Sequence, residues 1–402
     1  MQHPHKISNL QKYYAYTVLW SILTLVTSGS AAQTFLLEYG LAEDRVTSFF
    51  SVMQLIQLAT IFLFSRSSDS VKSVTGSLTR AHLMDLPYIL LLVVLCFVGL
   101  ELGTVYGLLM VVGCIFSVSV GLNNVLSYKL PYQIIDMHDY AKFLSVSGAL
   151  TGICSVVFSL LSHYTQLSLG FFPAMRLIYP IVLALWVGFI LATGTMKEHP
   201  PAAPTAKKDR INLLTYKPFT TLILPNIARG FCLGIVNMAV AVGYYAELLD
   251  AYSANYVIII THVLTIVGSY FFSAIAKFFG DRKLLLICSI GVAATLPFLT
   301  ISNTTVFLIV YVPLYFFILM LNNGVPFILT KVIDYNVMGQ YSAGRMLLNT
   351  LGTSLAGFLC IPMFRVMGVI PALALSGGLQ LLSGIGYYIV LTRMKKEKEC
   401  AA

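Results

Sequence analysis

Twelve stretches of about 20 predominantly apolar residues follow one another along this chain, and no other feature limits its fold so strongly. Each is long enough to cross a hydrocarbon core of roughly 30 Å as a helix, which bonds its backbone N–H and C=O groups within its own segment. The runs lie at 13–37, 45–65, 86–102, 105–127, 143–165 and 169–195, then at 217–247, 251–278, 283–302, 304–330, 345–366 and 369–392. Composition agrees: 58% of the 402 residues are hydrophobic and only 10% are charged, against about 25% charged in soluble domains. So few charges cannot cover a water-facing surface, which excludes a secreted domain, a nucleic-acid binder and a disordered chain. The first run is longer than the apolar core of a cleavable signal and leads straight into the second, so it is expected to be retained.

Lys and Arg collect in cytoplasmic loops. With the N-terminus inside, all of the 25 basic residues except Arg45, Arg176, Arg229 and Arg365 fall in even-numbered loops, tails or inner helix ends. Both termini are therefore expected in the cytoplasm, in a cell membrane of bacterial type, and the net charge of +9 is an orientation signal. Six of the seven cysteines lie inside apolar runs, and none has metal-ligand or disulfide-framework spacing.

The Pro/Ala/Lys-rich stretch 196–216 divides the runs six and six and reads as a cytoplasmic linker. The expected organisation is an all-α membrane protein: a six-helix bundle over 1–195, the linker, and a second bundle over 217–402 with a short basic tail. The halves echo each other. Leu122-Asn123-Asn124 with Ile135-Asp136 matches Leu321-Asn322-Asn323 with Ile333-Asp334 at offsets of 199 and 198 residues, and Glu38 corresponds to Glu247. Paired six-helix halves around a central solute path are an architecture of secondary transporters.

Three loops carry a family likeness. SYKLPYQIIDMHDYAKFLS holds Pro131-Tyr132, Asp136, Asp139-Tyr140 and Lys142; KVIDYNVMGQYSAGRM holds Asp334-Tyr335 and Gly344-Arg345; KFFGDRKLL follows the eighth run. With these the chain resembles the major facilitator superfamily across all twelve runs. Within it, the chain is similar to the glycoside, pentoside and hexuronide cation symporters of the melibiose permease family. The resemblance implies a twelve-helix fold, alternating access and sugar uptake with a cation. Where that family carries cation-binding aspartates on span 2, this chain offers Gln54 and Gln57.

Ionisable groups inside a span are costly unless they face a cavity or a partner. Arg229 lies about 12 residues into the seventh run, roughly 18 Å deep at 1.5 Å per residue, and Asn226, Asn237 and Tyr244 fall within about 80° of it on a helical wheel. Its guanidinium can fork onto a carboxylate or donate to sugar hydroxyls, or else be neutralised by the protein. His262, near the middle of the eighth run, can exchange protons or bond solute, or serve as an interior packing residue. Gln54, Gln57 and the pairs Asn123-Asn124 and Asn322-Asn323 line a solute path or bond helix to helix, and the aromatic stripe of Tyr16 and Trp20 stacks on a sugar or aromatic solute or serves ordinary packing. Asp136, Asp139, Lys142, Asp334 and Arg345 form an inner gate or a solvated loop face. Glu38 and Glu247 at the outer mouth bind a proton or end a helix.

No phosphate loop, metal cluster or nucleophilic triad is present in the sequence, so neither an enzyme nor an ATP-driven pump is expected. The expected partners are a small solute, the bilayer and a coupling H+ or Na+, with no other cofactor, no metal and no nucleic acid, and the protein is expected to be a monomer. A secondary transporter of a sugar, glycoside or organic anion leads. A proton-driven exporter of amphiphiles and an uncoupled sensor or lipid-handling protein are the alternatives.

Overall fold

Without water to bond its amides, a chain in hydrocarbon satisfies them as helix, and the computed structural model of this protein is helical almost throughout its described residues. Those are 6–65, 71, 73–127, 130, 140–198, 215–332 and 335–401. They divide into two compact units, Met1–Thr205 and Ala206–Ala402.

The first unit contains α1 (Lys6–Thr27), α2 (Ser30–Glu38), α3 (Glu43–Ser65), α4 (Val74–Leu83), α5 (Leu86–Phe97), α6 (Leu102–Leu126), α7 (Tyr140–Leu169) and α8 (Phe171–Gly194). α1 packs on α7 and α8, α3 on α6, and α4 and α5 on both α6 and α8. Their aromatic core is built from Tyr88, Phe116, Tyr179, Trp186 and Phe189, all fully buried.

The third span departs from expectation. It begins at Val74 rather than at 86 and runs to Phe97. Thr75, Thr79, Arg80 and His82 give its first half the polarity of a loop. The helix forms because Thr79 bonds back to the Thr75 carbonyl at 2.8 Å and Ser73 accepts from the Gly76 amide as its N-cap. The Glu198 carboxylate also accepts from the Thr75 amide, hydroxyl and Ser73 hydroxyl at that same end. Pro87 supplies no N–H to the Leu83 carbonyl, so the span breaks between α4 and α5 at Met84-Asp85.

The second unit contains α9 (Lys217–Thr220), α10 (Ile223–Asn237), α11 (Ala239–Tyr245), α12 (Ala251–Phe279), α13 (Asp281–Thr295), a 3-10 turn (Leu296–Phe298), α14 (Thr304–Val332), α15 (Tyr335–Met367) and α16 (Val369–Ala401). α10 and α11 form one span bent by 59° at Met238. α12 starts from a capping box in which Asp250 accepts from the Ser253 amide at 2.8 Å.

α10 packs on α15 through small residues spaced by four, Gly230 and Gly234 against Gly352 and Ala356. Such spacing lets two helix backbones touch. A Cβ on Gly230 would stand 2.0 Å from the Asn349 carbonyl oxygen, and one on Gly352 would stand 2.2 Å from that of Ile227.

Among the described residues nine helices are long and apolar enough to span a membrane, or ten with the bent pair α10–α11. The other two expected spans, 143–165 and 283–302, fall on α7 and on α13 with its 3-10 turn. Exposed apolar side chains such as Leu63, Val111, Leu161, Ile309 and Leu382 stud the helix exteriors, as lipid-facing surface requires. Most of the expected linker, 199–214, lies outside the described residues.

The glycine contact predicts that Gly230→Val destabilises the protein by about 1–3 kcal/mol or more through overpacking. Thermal unfolding of the purified protein in detergent checks this; an unchanged midpoint would show that α10 and α15 do not touch in this way.

Candidate functional site

Two groups of buried polar side chains stand out, one in each unit. In the second unit α10 carries Asn226 and Arg229, which are 0% and 4% exposed. Arg229 donates through Nη2 to the Asn322 Oδ1 on α14 at 2.5 Å. Its Nη1 is buried without a partner. Tyr387 on α16 donates to the Asn226 Oδ1 and lies in electrostatic contact with the guanidinium groups of both Arg229 and Arg345.

Arg345 also faces Arg229, its Nε lacks a partner, and so does the Asn349 Oδ1 one turn further along α15. Among the described residues no carboxylate pairs with either arginine. Two guanidinium groups, an amide and a phenol thus converge with donor capacity in excess of acceptors.

The sequence places Arg345 at an inner gate. The structure carries α15 back to Tyr335, and Arg345 sits on that helix beside Tyr387, as a neighbour of Arg229. The other expected gate residues Asp136, Asp139 and Asp334 lie outside the described residues, as does the side chain of Lys142.

The bend at Met238 also divides the stripe expected along the seventh span. Asn226 and Arg229 face inward on α10, Asn237 is exposed at its end, and the half-buried Tyr244 belongs to α11. The wheel assumed one straight helix, and a 59° bend removes that premise. Asn323, beside Asn322, and His262 on α12 are half-buried.

In the first unit, His82 closes α4 and Asp85 sits in the break before α5, both 0% exposed. The His82 Nδ1 stands 3.0 Å from the Asp85 Oδ2. Three of the expected residues surround this pair. The Trp20 ring lies 5.3 Å from the imidazole, the Tyr16 ring lies 6.4 Å away, and the Tyr16 hydroxyl donates to the Asn123 Oδ1 at 2.5 Å. Asn124 is half-buried on α6.

Gln54 and Gln57 line a cavity of about 140 Å³ with Ser28, Met53, Phe116 and Ser117. That volume suits a few water molecules and is below the 300–1,000 Å³ typical of a ligand pocket. At the other expected positions, Glu38 and Arg176 border an open recess of about 380 Å³ with Tyr39 and Phe172. Arg176 donates there to the Cys96 carbonyl at 2.9 Å. Glu247 is exposed in a left-handed turn at φ 57°, where its amide donates to the Tyr244 carbonyl and ends α11.

His82, Asp85, Tyr387 and Asn349 are absent from the residues singled out in the sequence. The His-x-x-Asp spacing, which sets both groups on one face when helical, is the signal that would have found the first two.

No protein-family model and no curated protein matches the chain by sequence. Solved structures do match its fold. A D-xylose-proton symporter superposes with a TM-score of 0.73 at 15% identity, covering 95% of this chain and 97% of that one. The chain has the major facilitator fold. A mutant of the nucleoside transporter NupG superposes with a TM-score of 0.71 at 12% identity, covering 95% and 99% of the two chains. NupG itself gives 0.67 at 14%, covering 96% and 99%. The protein is therefore a multi-pass membrane protein built like transporters of small polar solutes.

The hydrogen bond from Tyr387 yields a prediction. Tyr387→Phe leaves the Asn226 Oδ1 buried without a donor, at a cost of about 1–3 kcal/mol. A thermal midpoint lowered by several degrees is expected, and an unchanged one would mean that Asn226 has another donor.

Proposed function

We propose that this protein is a secondary active transporter that moves a small polar solute bearing an anionic group, an acidic sugar or an organic anion, by alternating access. The carrying observation is the arginine pair of the second unit. Arg229 is buried with an unpartnered nitrogen, Arg345 stands beside it, and no described carboxylate neutralises them. Like charges desolvated together repel, and a bidentate carboxylate is the ligand that guanidinium groups accept best. Asn322 and Tyr387 next to them suit hydroxyl groups on the same solute.

The fold likeness to a D-xylose-proton symporter and to NupG supports a sugar-sized solute, and the loop resemblance to the melibiose permease family, whose solutes include hexuronides, supports an acidic one. Cation-coupled symport by a monomer in the cell membrane, with both termini cytoplasmic, completes the proposal. The group at Arg229 belongs to a single unit, which alone supplies two cations, an amide and a phenol.

Purified full-length protein tested by thermal shift against D-glucuronate, D-glucose, uridine and tetraphenylphosphonium checks this reading. D-glucuronate is expected to raise the midpoint, by the equivalent of about 2.7 kcal/mol at a hundred times its Kd. A response confined to tetraphenylphosphonium would favour an exporter of amphiphilic cations, and a response to glucose or uridine alone would remove the anionic requirement. No response to any of the four would favour the uncoupled sensor or lipid-handling reading.

Arg229→Met separates a functional arginine from a structural one. Replacing a buried charge that has no ionic partner with an apolar side chain of similar length removes its desolvation cost, which exceeds the loss of one donor to the half-buried Asn322. The variant is expected to unfold at the wild-type temperature or above it and to lose the D-glucuronate shift. A much lower midpoint would assign Arg229 to the fold instead.

A further inference from the structure

The first unit holds a buried titratable pair that the anion-binding cluster does not use. Asp85 is the one buried carboxylate among the described residues, and His82 bonds it while also fully buried. Asp85 lies eleven residues into the 24-residue span Val74–Phe97, roughly 17 Å deep at 1.5 Å per residue. One oxygen of the carboxyl, Oδ1, and the second imidazole nitrogen, Nε2, are buried without close hydrogen-bond partners, and the Ser119 hydroxyl of α6 faces the carboxyl. We propose that His82 and Asp85 form a proton-binding site, which takes up one proton from water and returns it to water in each transport cycle.

Burial sets the occupancy. With one proton shared between Nδ1 and Oδ2 the pair carries no net charge, whether as imidazolium with carboxylate or as imidazole with carboxylic acid. Losing that proton to water as hydronium leaves one negative charge in an apolar shell, and gaining a second leaves one positive charge. Both charged states are disfavoured without solvent. The pair therefore holds its proton while closed and gives it up once water reaches it.

The surrounding elements supply no competing charge. α1 presents the titratable Tyr16, engaged to Asn123, with Tyr13 behind it, and Trp20. α8 presents Trp186 and Phe189; its Arg176 lies at the far end of the span against the Cys96 carbonyl. α6 presents Ser119 and Asn123. On the span itself Arg80 is exposed, and Tyr88 donates to the Thr27 carbonyl at 2.8 Å. No described lysine or arginine pairs with Asp85.

Asp85 lies in the two-residue interruption ahead of Pro87, where its amide and the Trp186 Nε1 both donate to the His82 carbonyl, at 3.3 Å and 3.2 Å. The role in coupling rests on the transport reading; proton binding itself does not.

The protein contains two tryptophans, and both flank His82, at ring separations of 5.3 Å and 6.3 Å. Tryptophan emission of the purified full-length protein is therefore a built-in reporter, because imidazolium quenches indole and imidazole does so less. Titrated with pH, the wild type is expected to change in a single step as the proton leaves, by brightening where the proton sits on the imidazole. Where the proton sits on the carboxyl instead, the step is expected as the loss of a buried carboxylic C=O band from the infrared spectrum. Asp85→Asn and His82→Gln, checked for folding by size-exclusion, are expected to lose the step, while Arg229→Ala keeps it.

A flat wild-type titration would overturn the site, with or without foldable variants. So would a step retained in Asp85→Asn. A titration that behaves as expected in a protein that binds no solute would sink the transport reading and leave the proton site standing.

Discussion

Every polar atom that this chain takes into hydrocarbon must find its partner inside the protein, because lipid offers none. The backbone meets that demand as helix, and most hydroxyl side chains meet it by bonding one turn back. Thr27 donates to the Leu23 carbonyl, Ser51 to that of Thr47, Ser117 to that of Gly113 and Thr193 to that of Phe189. These groups vanish into the helices that carry them and leave the exteriors apolar. Among the described residues a set of buried atoms remains whose demand is unmet, and it includes three around Arg229, Arg345 and Asn349 and three around His82, Asp85 and Ser119.

The two places are complementary in character. The second unit gathers positive charge, amide and phenol, with hydrogen-bond donors left over. The first unit gathers an acid and a base that balance each other through a single proton. Uncompensated charge in a low-dielectric interior is among the least favourable things a fold can contain. It persists at one cluster, while the other compensates itself. Stability is given up at the first cluster and held in reserve at the second.

Much of this was legible in the residues. Apolar run lengths and their lean supply of charge carry the helical membrane fold, and Arg229 announces itself as a lone cation in an apolar run. Tyr16, Trp20 and Asn123 were legible as a polar and aromatic group, but the His82–Asp85 pair they surround was not. The stretch 74–85 has the composition of a loop, and only its contacts with α6 and α8 make it half of a span. The neighbourhood of Arg345 was hidden for a related reason: its helix starts ten residues before the apolar run, at Tyr335. The bend at Met238 was hidden as well, since no proline marks it.

The small-residue contact between α10 and α15 has a mechanical meaning. Side-chain layers act as bearings, allowing helices to slip by exchanging one rotamer packing for another. Between Gly230 and Gly352 there is no such layer, because backbone lies directly on backbone. Thr353 adds a bolt by donating to the Gly230 carbonyl at 3.1 Å. The two helices are thus welded where Arg229 and Arg345 leave them, so the span between the guanidinium groups is held like the jaws of a fixed spanner.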